Sequence, residues 1–278
     1  MAVDGKWRVI LDNARPGAAN LAIDEAIVEA HAAGLVPPTL RFYTWQPAAV
    51  SIGCFQKIRE AVRLEACQSQ GIELVRRITG GRAVLHDREL TYSAVVRENI
   101  SLLPPTLLGS YRYLSRGMLA GLAKMGIAAQ IALPGAAFGQ SSRPPKDGAC
   151  FAASSFYEIT VARKQLLASA QARKKGTLLQ HGSILLDFSA SQVAGLLLFA
   201  SEAERERCQT LLQAKVTSLY SVLGYIPDSK ALAQTIADEF GRTLGLTMVT
   251  GSLTDGEFAR AAELEREKFA APAWTYRR

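Results

Sequence analysis

Residues 76–87 read Arg-Arg-Ile-Thr-Gly-Gly-Arg-Ala-Val-Leu-His-Asp and separate two strand-like runs, 72–75 and 90–96. Of all segments, this one most constrains the fold. Gly80 and Gly81 let the backbone turn tightly and bring bare N–H groups against a ligand. Arg76, Arg77 and Arg82 can add fixed positive charge beside that turn, and His86 a titratable ring. A plain basic hairpin with solvated arginines is the alternative. It leaves the Gly-Gly pair, flanked by Arg and followed closely by His-Asp, without a reason.

Around the turn, strand-like and helix-like patterns interleave. The spacing predicts strands over 7–11, 40–45, 49–54, 127–133, 156–161, 165–170 and 178–186, and helices over 18–32, 57–70 and 107–125. On the 107–125 helix Tyr111, Leu114, Met118 and Leu122 share one face, and Gly126 ends it. Beyond residue 189 the pattern is helical (189–199, 228–244, 255–269) with no linker, so 1–278 reads as one catalytic domain with its helical portion packed on it. Residues 134–149 form a Pro/Gly-rich loop of a length that often carries function.

The net charge of +7 suits an acidic partner without choosing among protein, nucleotide and nucleic acid. A nucleic-acid partner is disfavoured, because there is no helix-turn-helix signature, zinc finger or basic run interleaved with stacking aromatics. The apolar runs are too short to cross a bilayer, and no secretory signal is visible at the start. Four cysteines without metal-ligand or disulfide rhythm point to free thiols, no metal and a cytoplasmic protein.

Cys150 stands where the long loop meets the next strand. By position alone it reads as a small buried hydrophobe; the alternative is an exposed, electrostatically tuned nucleophile. The segments 40–53, 76–93, Cys150-Phe151, Ser169-Ala-Gln171 and Gln180-His-Gly-Ser-Ile-Leu-Leu186 together resemble the octanoyltransferases of the lipoate–protein ligase A family, of the cysteine-dependent type that draws on an acyl carrier protein. The resemblance implies a biotin/lipoate-ligase-like α/β fold with a mixed sheet flanked by helices. It makes Cys150 the nucleophile, which takes octanoyl from a phosphopantetheine thioester and passes it to a lysine of a lipoyl-domain protein, the glycine-cleavage H protein or an E2 domain. It also implies a monomer, no cofactor, and an acyl pocket walled by Arg77, Thr79, Gly80, Gly81, Arg82 and His86, with His181 near its mouth. Val84, Val95, Ala168 and Ile184 are the expected apolar lining.

One position departs from the family. A lysine is expected fifteen residues after the nucleophile, where it would favour the thiolate, and this chain has Gln165 there, preceded by Lys164. Three routes stay open: a local bulge brings Lys164 into play as activator, His86 or His181 activates Cys150, or catalysis is impaired. Lys164 as a solvated strand lysine is an equal alternative. The competing functions are an ATP-dependent lipoate ligase and a non-catalytic lipoyl-domain binder. Arg143, Lys146, Arg173, Lys174 and Lys175 are candidates for a basic rim that receives acidic partner proteins.

Overall fold

The computed structural model describes residues 5–132 and 158–278. In chain order its strands are β1 (Lys6–Leu11), β2 (Thr39–Tyr43), β3 (Ala49–Ile52), β4 (Glu73–Arg76), β5 (Val84–His86), β6 (Glu89–Arg97), β7 (Ala129–Ile131), β8 (Glu158–Val161), β9 (Lys164–Lys174), β10 (Thr177–Leu185) and β11 (Thr247–Thr250). Its helices are α1 (Gly17–Ala32), α2 (Leu64–Ser69), α3 (Leu107–Lys124), α4 (Ala190–Leu196), α5 (Glu202–Lys215), α6 (Leu219–Leu223), α7 (Ser229–Leu244), α8 (Asp255–Leu264) and α9 (Pro272–Thr275). The large sheet runs β11-β1-β2-β6-β10-β9-β8-β7, parallel through β11, β1 and β2 and antiparallel beyond. A small sheet, β4-β3-β5, lies apart from it. This is the mixed α/β architecture expected of the chain.

Strand alternation divides the interior. On β6, Leu90, Tyr92, Ala94 and Val96 face α3 and α7 and join Leu114, Met118 and Phe240 in the largest core cluster. The apolar face read on α3 is therefore its buried face. A Cβ added at Gly117 would lie 2.3 Å from the Phe240 ring, and one at Gly121 2.7 Å from the Ile236 backbone. Two missing side chains thus let α3 and α7 pack at close range. The opposite face of β6 carries Thr91, Ser93 and Val95. Val95 packs with Ile23 and Ile27 of α1, and Val75 of the small sheet joins the same cluster. The cavity described below lies on this second face.

Several expected elements are redrawn by long-range pairing. The helix expected over 57–70 is a 3-10 turn (Ile58–Glu60) followed by the short α2. Residues 61–63 leave helical geometry because Leu198 N–H bonds the Ala61 carbonyl, Arg63 N–H bonds the Leu196 carbonyl, and Val62 bridges Leu197. The same contacts shorten the helix expected over 189–199 to α4. β9 is longer than its apolar run suggests and continues to a turn at Lys175 and Gly176, both at positive φ. The sequence pattern marks no strand or helix range for β5, α5, α6, β11 or α9.

Candidate active site

The glycine turn is built by its two leading arginines, whose side chains do opposite jobs. Arg77 curls back over the turn: Nη1 donates to the Ser51 carbonyl (2.9 Å) and Oγ (3.0 Å), Nη2 to the Gly80 (2.9 Å) and Arg82 (2.7 Å) carbonyls. Gly81 sits at φ +100°, and a Cβ there would be 2.7 Å from Arg77 Nη2, so only glycine fits beneath the guanidinium. Gly53 on the neighbouring strand end comes so close that its Cβ would fall 2.0 Å from the Gly81 carbonyl oxygen. Arg76 points the other way and is fully buried. Neither guanidinium is the loose positive charge beside the turn that the sequence suggested, because each is bonded to main-chain carbonyls.

Between this turn and strands β9 and β10 lies a mainly apolar cavity of about 320 Å³. Gly80, Gly81, Arg77 and His86 line it from one side, and Ala168, Ala170 and His181 from the other. Leu21 of α1 and Trp45 also contribute to its wall. A Cβ built on Gly80 meets nothing within 4 Å, so this residue fronts open space. The volume falls at the lower end of the range for small-molecule sites. Two of the four expected apolar residues, Val84 and Ala168, do line the cavity. Val95 lies under α1, and Ile184 projects to the α3–α7 face of β10. Alternation decides the second case, since His181 and Ser183 take the cavity side.

His86 is held on three sides. Its ring stacks on Trp45 at 4.0 Å and 11°, Nδ1 meets Glu89 Oε1 at 2.8 Å, and Nε2 meets Ser51 Oγ at 2.7 Å. Hydrogen-bond logic fixes the direction. The Glu89 carboxylate can only accept, so Nδ1–H donates to it, and in that neutral tautomer Nε2 accepts from the Ser51 hydroxyl. Glu89 Oε1 also accepts from Thr91 Oγ1 (2.5 Å) and Ser183 Oγ (2.8 Å), which ties the small sheet to the large one. Its Oε2 is buried with no partner among the described residues. Ser51–His86–Glu89 has the spacing of a nucleophile triad. Ser51 borders the cavity but is 0% exposed, and its hydroxyl is taken up by Arg77 and His86, so the array orients His86.

His181 forms part of the opposite wall rather than a mouth, only 9% exposed, with Nε2 2.8 Å from Thr79 Oγ1. Burial, helped by Arg77 and His86 nearby, pushes its pKa down to about 3. It is therefore a neutral ring at any working pH. Beneath it, Asp24 accepts from Arg41 Nη1 (2.8 Å), Ser93 Oγ (2.8 Å) and Tyr43 OH (2.9 Å), and Arg41 also pairs with Asp12 (2.9 Å). The Ser169-Ala-Gln171 motif contributes to a buried chain: Ser169 Oγ lies 2.9 Å from Tyr92 OH, Gln180 Nε2 donates to that hydroxyl at 2.7 Å, and Gln171 Nε2 donates to Gln180 Oε1 at 2.6 Å. Sequence reading missed Glu89, Asp24, Arg41 and Tyr92. Their one signal was polarity at internal positions, set by strand alternation for Glu89, Arg41 and Tyr92 and by helical spacing with Leu21, Ile27 and Val28 for Asp24.

Thr79 is buried behind the wall, and Arg82 supplies a carbonyl to Arg77; neither is among the lining residues. The register between β8 and β9 does shift, between Ile159 and Thr160, but the bulge does not deliver Lys164. Lys164 is exposed, its ammonium donates to the Gln213 carbonyl of α5 (3.3 Å), and it is absent from the cavity lining. Gln165 is buried on β9, with its carbonyl bonded to Thr217 N–H. Cys150, Arg143 and Lys146 lie outside the described residues. Of the other rim candidates, Arg173 pairs with Glu98 (2.8 Å), Lys174 with Glu25 and Glu29, and Lys175 with Glu29 (3.5 Å). No helix among the described residues is long and apolar enough to cross a membrane.

Residues 16–241 match the family described as Lipoyl protein ligase A/B catalytic domain. The octanoyltransferase LipM of Brevibacillus brevis is 40% identical over 274 residues, covering 98% of this chain and 99% of the relative. That of Symbiobacterium thermophilum is 42% identical over 282 residues, covering 99% and 100%. Among solved structures, the bipartite lipoate protein ligase of Thermoplasma acidophilum, described with its E2 lipoyl domain, superposes with a TM-score of 0.79 at 24% identity, covering 98% of this chain and 96% of that one. A lipoate-protein ligase A bound with ATP gives 0.77 at 25% identity, covering 98% of each. The chain is an acyltransferase that belongs to the lipoyl protein ligase A/B catalytic-domain family.

Proposed function

We propose that this enzyme moves an octanoyl group from an acyl carrier protein to a lysine of a lipoyl-domain protein, the glycine-cleavage H protein or an E2 domain, through a thioester on Cys150. The supporting observation is the cavity between the glycine turn and β9–β10, which is apolar and has its polar groups already engaged. Arg77 is bonded to the carbonyls of its own turn, and His181 is held neutral. Such a lining suits an uncharged acyl tail better than an adenylate, whose phosphate calls for charged side chains beside the main-chain donors of the turn.

The chemistry balances without a cofactor. The Cys150 thiolate adds to the thioester carbonyl, the carrier thiolate leaves and takes up a proton, and an octanoyl thioester remains on the enzyme. A deprotonated lysine then adds to that carbonyl, the Cys150 thiolate leaves and takes up the proton that the amine gives up, and an amide forms. Each addition places negative charge on the carbonyl oxygen, and main-chain N–H groups of the glycine turn are suited to receive it. The E2 lipoyl domain studied with the Thermoplasma protein supports this class of acceptor. So do the octanoyltransferase relatives for the transferred group.

The test mixes octanoyl-carrier protein with purified enzyme in the absence of ATP and follows intact mass. A mass gain of one octanoyl group on wild type, and none on Cys150→Ala, is expected. Undiminished transfer by Cys150→Ala would end the thioester route. Lipoate-dependent release of pyrophosphate from ATP would replace the reading with that of a ligase.

A further inference from the structure

The segment 272–278 is fastened to the back of the glycine turn and supplies none of the residues that line the cavity. Its anchor is Arg76, which is fully buried and pairs with no carboxylate among the described residues. Its guanidinium donates to main-chain carbonyls on two separate stretches: Nη1 to Gly53 (2.9 Å) and Gln56 (2.7 Å), Nη2 to Thr275 (2.8 Å), and Nε to Trp274 and Thr275 (both 3.1 Å). The bond is returned, since Trp274 Nε1 donates to the Arg76 carbonyl at 2.8 Å. Arg277 adds a bond to the Cys54 carbonyl (2.9 Å) while its guanidinium lies 3.8 Å over the Trp274 ring.

Residues 53–56, which this segment grips, form the surface on which the glycine turn rests. Cys54 N–H bonds the Thr79 carbonyl (2.9 Å), Arg77 N–H bonds the Ile52 carbonyl (3.1 Å), and Gly53 abuts Gly81. A continuous chain of contacts therefore runs from Trp274 through Arg76 to the residues that front the cavity. A second tie reaches the α1 wall, because Lys268, 4.2 Å over the same indole, bonds Glu25 of α1 at 2.5 Å. A buried cation costs heavily unless its donors are satisfied. A guanidinium that is satisfied only when 272–278 is docked couples that docking to the turn.

We propose that Arg76 and Trp274 are positioning residues: they lock segment 272–278 beneath the glycine turn and so set the geometry of the acyl site. The inference rests on the octanoyl-transfer reading for its kinetic half only. Trp274→Phe removes the indole donor and keeps an aromatic ring, and a chain ending at residue 271 removes the whole clamp. Arg76→Lys keeps the charge but not the four-carbonyl reach.

Amide hydrogen exchange is compared across these variants together with steady-state transfer from octanoyl-carrier protein. About tenfold faster exchange at the Cys54 and Arg77 amides in Trp274→Phe is expected, on the scale of one lost hydrogen bond. Val95 and Leu179 amides in the large sheet should be unchanged. The apparent KM for the carrier should rise by a similar factor, with kcat changed less. The shortened chain should show the same pattern more strongly, and Arg76→Lys should lie between wild type and the shortened chain. Uniform acceleration across both sheets, no local change, or local change with unaltered KM each overturns the proposal. If wild type transfers no octanoyl, the functional reading falls, while the exchange data still decide the coupling.

Discussion

Replacing His181 by glutamine should make the protein less sensitive to acid, and the size of the change follows from the burial of the ring. An unfolded histidine titrates near pH 6.5, whereas the folded His181 is held at about 3. Between those values the unfolded chain binds a proton that the folded chain refuses, so stability rises with pH across that window and falls on acidification. The loss begins as pH drops through 6.5 and stops growing near 3. At pH 5 the gap is about 1.5 pH units, and each unit is worth ~1.4 kcal/mol, which gives about 2 kcal/mol. Glutamine has no proton to gain and can still reach Thr79 Oγ1. Urea unfolding of both proteins at pH 7.5 and pH 5 isolates the effect, because every other titrating group is common to the pair. The wild type should lose about 2 kcal/mol more than His181→Gln between the two pH values. Equal losses would show that the ring is not held neutral and would return it to the list of possible bases.

The glycine turn allows a paired test: Gly81→Ala meets Arg77 at a φ of +100° and should cost about 2 kcal/mol in chemical denaturation. Gly80→Ala, which projects into open space, should leave stability within ~0.5 kcal/mol of wild type and raise the apparent KM for the acyl donor. Glu29 is pushed up by burial but pulled further down, to about 2, by Arg260 and Lys174. Its contribution is complete above about pH 4.5 and lost as pH falls through 2, so Glu29→Gln should cost about 1 kcal/mol at pH 7, allowing for solvent screening, with the difference shrinking below pH 4.5 in urea titrations. For the basic rim, Lys175→Glu should slow association with an acidic carrier protein while keeping the melting temperature close to wild type. Lys174→Glu sets a carboxylate against the buried Glu25 and should lose about 2 kcal/mol; stopped-flow binding and thermal melts separate the two effects.

Local periodicity carried most of the fold. The apolar face of α3 and the strands around the glycine turn depend on neighbours three, four or two residues away, which the sequence displays directly. What it hid depends on partners far along the chain. The 57–70 stretch reads as a helix until residues 61–63 meet 196–198. β11 is a short edge strand whose register comes from β1. In the site, the glycine turn and the two histidines were visible from residue types alone. Glu89 was not, because its role is set by donors from His86, Thr91 and Ser183 on three strands. Arg41 and Asp24 stand 17 residues apart and meet only when α1 lies across β2.

The paired arginines show how far alternation could have carried the reading. Successive residues of an extended chain point to opposite sides, so Arg76 and Arg77 could not both serve a ligand beside Gly80. One of them had to enter the protein, and a guanidinium entering a core demands acceptors. The nearest carboxylates in sequence are Glu73, which accepts from Gly17 N–H, and Asp87, which is partly exposed and bonded to Gln192. The acceptors for Arg76 therefore had to be backbone carbonyls or distant groups, and chain ends and turns are where carbonyls are left without partners. The structure supplies them from residues 53–56 and from α9. The same reasoning places Lys164 and Gln165 on different sides of β9, and there the consequence is sharper. With Lys164 bonded to the Gln213 carbonyl on the surface and Arg77 bonded to its own turn, a rate that still required a titrating lysine would have to obtain it from outside the described lining. Acyl transfer confined to this cavity predicts a pH–rate profile unchanged by Lys164→Ala; a shifted profile would return Lys164 to the reaction.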